Sequence, residues 1–163
     1  MKKLIRFLLL PVLLLAASCT ERMDPFEGAD GLRANINGYK CVMDGNHGNQ
    51  YVTRSAEGTS VSIRVNMVQL IDNQTFTMQL FVSDAAPLAP GTTYRFSPGS
   101  GCTAQLGSPP GAPGEEINLT GWIRFRQLGG DSNIVEAEFE LDGTSPRSLK
   151  DYEVRHGFLR LYR

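Results

Sequence analysis

The chain has 163 residues, 41% hydrophobic and 20% charged, enough for one domain built on a single core. Its 16 basic residues stand against 17 acidic ones with no Lys/Arg cluster, which excludes the basic stripe that nucleic acid demands. Seventeen glycines and nine prolines suit a chain with many turns.

Residues 1–18 read as a signal peptide. Lys2, Lys3 and Arg6 precede an apolar run from Phe7 to Ala17, too short for the ~20 residues that span a bilayer. The run suits the apolar segment of a secretory signal, and Ala16-Ala17-Ser18 suits its small-residue cleavage region. Cys19 follows at once, the arrangement of a bacterial lipoprotein signal, in which cleavage leaves an acylated cysteine as the amino terminus. Lipid on Cys19 makes the membrane the first expected partner, because two or more acyl chains hold stably. Thr20 stands where an inner-membrane retention signal carries Asp. The expected address is therefore the cell envelope at the outer membrane, with the periplasmic leaflet and the cell surface both open. Loss of residues 1–18 removes three basic residues and no acid, leaving 13 basic against 17 acidic residues and a net charge of −4. Residues 19–30, which mix charge with Pro25 and Gly28, read as the lipidated cysteine and its flexible tether.

From residue 31 to 163 strand signals dominate. LRANINGYKCV (32–42) reads as a strand interrupted at Asn37-Gly38, a turn or bulge signal. QYVTR (50–54) is a short strand. In 59–68, Val61, Ile63, Val65 and Met67 alternate with Ser60, Ser62, Arg64 and Asn66, and 74–82 repeats the pattern with Phe76, Met78, Leu80 and Val82. Asp72-Asn73 supplies the turn between them. Pro87 and Pro90 break the pattern before a further short strand at 92–96. Residues 97–116, rich in Pro and Gly, read as a long surface loop. INLTGWIRFRQL (117–128) and NIVEAEFEL (133–141) form a hairpin, Ser145-Pro146 starts one helical turn, and 152–163 is a closing strand. The expected fold is all-β, a single antiparallel β-sandwich of about eight strands, with a closed calycin-like β-barrel as the alternative.

The stretches LRANINGYKCVM (32–43), GTTYRF (91–96), GWIRFRQL (121–128), NIVEAEFEL (133–141) and YEVRHGFLRLY (152–162) together resemble small uncharacterised Bacteroidetes lipoproteins. That family shows a strand–Asn-Gly-x–strand element, a Gly-Thr-x-Tyr strand and a Gly-Phe-type final strand. The resemblance implies an all-β envelope domain and brings no catalytic residue with it.

Few residues present themselves for chemistry. Cys41 and Cys102 are an even pair in an oxidising compartment, either bridged or two buried thiols, and too few for a zinc site. MDGNHGNQ (43–50) lacks the spacing and closing Glu of a calcium loop and reads as a turn, so no metal set and no cofactor is expected. Cys102 with His156 is a candidate thiol–imidazole pair. Among the aromatics, Trp122 and Tyr94 are candidates for a ligand platform on a sheet face, against the plainer reading that aromatics cover sheet edges. Glu136, Glu138 and Glu140 are the one close carboxylate array. Residues two apart on a strand lie roughly 7 Å apart, which approaches the spacing of inverting glycosidases, about 6.5–9.5 Å. Opposite them, Arg126, Arg124 and Trp122 are expected to make an ordinary charge ladder. The expected role is a binding or structural module and not an enzyme, with a glycan or another envelope protein as partner. The alternatives are a surface glycan-binding lipoprotein and, in another class, a carboxylate-dependent glycoside hydrolase.

Overall fold

The computed structural model describes residues 31–44, 50–107, 114–129 and 133–162. Residues 1–30, which the sequence reads as a signal peptide, the lipidated Cys19 and a tether, lie outside the described residues, as do His47 and residues 108–113. In chain order the strands are β1 (Gly31–Ile36), β2 (Tyr39–Met43), β3 (Tyr51–Arg54), β4 (Ser60–Gln69), β5 (Thr75–Ser83), β6 (Thr93–Phe96), β7 (Thr103–Gly107), β8 (Ile117–Leu128), β9 (Ile134–Thr144) and β10 (Asp151–Tyr162). All pairings are antiparallel.

Local sequence accounts for the turns. Asn37 and Gly38 both take positive φ (51° and 84°), the geometry of a two-residue hairpin turn that follows the strand twist. Asn37 also ties this turn to β10, accepting the Glu153 N–H and donating to the Asp151 carbonyl. Between β4 and β5, the Asp72 carboxylate accepts the Gln74 N–H and Asn73 takes φ 56°. At 145–149 a single bond from the Leu149 N–H to the Ser145 carbonyl makes one helical turn and no more.

Packing then decides the architecture. The ring runs β2-β1-β10-β9-β8-β7-β5-β4 and returns to β2, a closed barrel of eight strands with β3 and β6 added. The closing seam is short: Cys41 faces Gln69, Val42 faces Val68 and Met43 faces Met67. This corrects the sandwich in favour of the barrel. Period-two alternation serves both folds equally, and only the β2–β4 contact removes the sheet edges a sandwich keeps. A second correction concerns 97–116, which is not all loop. Ala104 and Leu106 of β7 are buried, and β7 joins β5 to β8.

The alternating apolar residues all point inward. Phe96, Phe125 and Phe139, with Met67, Met78 and Leu80, are among the largest fully buried side chains and belong to one core cluster. An eight-stranded barrel is just wide enough for side chains to fill its interior. Segment 84–92 crosses one end of the barrel. The Asp84 N–H bonds the Thr59 carbonyl, the Leu88 N–H bonds Gly58 and the Gly91 N–H bonds Phe125, which lays Leu88 over the core. At the same end Arg54 of β3 donates to the Leu128 carbonyl at 2.9 Å.

Candidate functional site

The carboxylate array lies on the outer face of β9. Glu138 pairs with Arg124 and Glu140 with Trp122 as the hairpin register predicts, whereas a bulge between Phe125 and Gln127 places Gln127 opposite Glu136. Arg126 bends back and bonds Glu138, which also receives Arg124 at 2.8 Å. Phe158 beside this cluster is flanked by the guanidinium groups of Arg33 and Arg126, 5.9 and 5.7 Å from its ring centre. Burial pushes the Glu138 carboxyl up, but the hydrogen bonds and charges of Arg124 and Arg126 outweigh it and hold the carboxyl below its ordinary range. A general acid needs the opposite shift. Glu138 is an ion-paired surface group.

Trp122 and Tyr94 do not share a face. Tyr94 sits opposite Ile123, points inward and lies with its ring 5.9 Å from that of Phe125. Its hydroxyl accepts the Ala89 N–H. Trp122 is the neighbour of Ile123 on β8 and therefore points outward, beside Arg95 and Glu140. The two-aromatic platform is corrected accordingly: one ring is core, the other half-buried on the wall.

The cysteine bridge is also corrected. Both thiols are free and buried. Cys41 is opposite Gln69 at the end of β4, while the Cys102 thiol bonds the carbonyl of Ser83, which is opposite Ser60 at the start of β4. The length of β4 separates them, about 30 Å at the rise of a strand, against a limit of about 7 Å between bridged Cα atoms. His156 sits in β10, with β8 and β9 between it and Cys102, so no thiol–imidazole pair forms. Among the described residues no three His, Cys, Asp or Glu side chains are placed to hold a metal.

What the structure adds is a break in the wall between β5 and β6. β5 ends at Ser83 because the next residues leave the sheet for the crossing segment. Beside that departure lies an open cavity of about 470 Å³ bordered by Ser83, Asp84, Ala85, Thr93, Tyr94, Arg95, Ser100 and Cys102. Its base is held by Ser100, whose hydroxyl donates to the Ser97 carbonyl and accepts the Cys102 N–H. Asp84 spends one carboxylate oxygen on the Ala85 N–H. The sequence carried a signal for this break: Pro87 and Pro90, between β5 and β6, cannot donate ladder hydrogen bonds and take the chain out of the sheet.

The fold and site together define a packed antiparallel β-barrel with a polar gap in its wall. Comparison of the chain with protein-family models, with curated proteins and with solved structures finds no match.

Proposed function

We propose that this protein is a lipid-anchored module of the cell envelope that binds a partner on the outside of its barrel. The filled interior carries the reading. Residues from every strand contribute inward side chains to one core cluster, so ligand contact falls to the outer wall and its gap. The anchor rests on the apolar run, the small-residue region and Cys19, and the acylated cysteine would hold the barrel at the outer membrane through the tether. A surface glycan is the second candidate ligand, favoured by Trp122 standing outward among Arg95, Arg124 and Glu140. Labelling cells with a radioactive fatty acid tests the anchor: the protein takes up label and Cys19→Ala does not. Equal labelling of both, or of neither, contradicts it.

A further inference from the structure

The gap between β5 and β6 is bordered by consecutive residues on both sides. Thr93, Tyr94 and Arg95 belong to β6; Ser83, Asp84 and Ala85 are the end and continuation of β5. Consecutive strand residues point their side chains to opposite faces. Three in a row on β6 can therefore border one cavity only along the backbone edge. The cavity is thus a place in the sheet itself, not a hollow on one of its faces.

Among the described residues β6 has no strand partner other than β8. Backbone N–H and C=O groups alternate between the two edges of a strand, so those of β6 that do not meet β8 face the gap. Leu88 and Asp84, bonded to Gly58 and Thr59, hold the opposite border away from β6. Below, the Tyr94 hydroxyl is already taken by Ala89 and the Cys102 thiol by Ser83.

We infer that an extended polypeptide segment of a partner enters this gap and pairs with the free edge of β6 as an added strand. The inference rests on the binding role proposed above and names its ligand class. Main-chain hydrogen bonds supply affinity in strand addition, and alternate side chains supply selectivity. Arg95 and Asp84, both exposed on the border, select a segment carrying one acidic and one basic residue. Tyr94 and Cys102, both buried, border it from beneath. A sugar finds no stacking face in the gap, since the Tyr94 ring packs against Phe125.

The test pans the full chain in detergent micelles against a display library of short unstructured peptides, and titrates the selected peptides against variants. Selected peptides should lose about tenfold in affinity when every second backbone amide is N-methylated, and much less when the intervening amides are. Ala85→Trp, which fills the gap from an exposed position, should cost at least as much with an unchanged Tm. Tyr39→Ala, exposed on β2 away from the gap, should leave peptide binding intact. The inference is overturned if no peptide binds more tightly than about 1 mM, or if binding ignores both N-methylation and Ala85→Trp. Oligosaccharide binding that is lost in Trp122→Ala, without peptide binding, overturns it in favour of the glycan. Fatty-acid labelling of Cys19 is independent of these results, so failure of the strand site and failure of the anchored-module reading are separately visible.

Discussion

Gly157 faces the barrel interior beneath Phe139, where an added Cβ would lie 2.4 Å from the ring. Gly157→Ala should therefore destabilise the protein by about 1–3 kcal/mol, the ordinary cost of overpacking. Chemical denaturation checks it, and an unchanged midpoint contradicts the packing. The free thiols make a second prediction: denatured, unreduced protein should show both Cys41 and Cys102 reactive, and in the native state Cys102, which borders the gap, should react first. Burial pushes the Cys41 thiol up to about 11, against a bond with the Ile36 backbone, and the charge of Asp72 adds to the rise. The unfolded thiol ionises near 9.0. The stability this group contributes is thus whole below that pH and falls as pH climbs toward 11. Glu138 has the reverse sign, since its carboxyl is lowered from 4.5. Its contribution is present above 4.5 and is lost as pH falls through the folded value. Both arginines are about half exposed, so Glu138→Gln should cost at most about 1 kcal/mol at neutral pH and progressively less at a pH well below 4.5. Denaturation at the two pH values reads this directly. At this scale the Asn37-Gly38 turn was legible because its chemistry is local. The thiol pairing was not, because it depends on which ends of β4 the two cysteines reach.

β7 is the element that alternation most easily hides. Thr103–Gly107 carries only Ala104 and Leu106 inward, amid a Pro- and Gly-rich stretch, yet without it β5 and β8 have no common neighbour. Leu106→Ala should cost about 2–5 kcal/mol, measured as a shift in the denaturation midpoint, whereas a true surface loop would tolerate it. The long alternating runs of β4, β5, β8 and β9 were legible within a few residues, since burial on one face imposes a period of two. β10 was legible in extent but not in phase. Val154 and then Gly157, Leu159 and Leu161 point inward, because Arg155 and His156 together oppose Glu140 in a bulge with His156 at φ 53°. A bulge adds one residue and flips the alternation, which composition cannot announce. β6 shows the same limit on the functional side: its shortness was visible, but its unpaired edge follows only from where β5 ends.

Among the described residues the barrel core is apolar and the ion pairs of Arg124 and Arg126 with Glu136 and Glu138 lie on its outer wall, the reverse of a transmembrane barrel, whose outer band is apolar. Closure of the ring sets the character of the molecule. It packs the interior, leaves the outer wall for the proposed recognition, and leaves the outer edges of the two added strands, β3 and β6, unused by the ring. Sandwich and barrel share every alternating strand, so the choice between them was not legible in the residues and rests on three residue pairs between β2 and β4. Residue-by-residue amide hydrogen exchange, followed by NMR, tests it most directly. A closed ring requires slow exchange in hydrogen-bonded amides of 41–43 and 67–69, matching the β8–β9 hairpin, and within β6 protected amides only on the edge that meets β8. Fast exchange throughout 41–43 and 67–69 beside a protected β8–β9 hairpin would contradict closure.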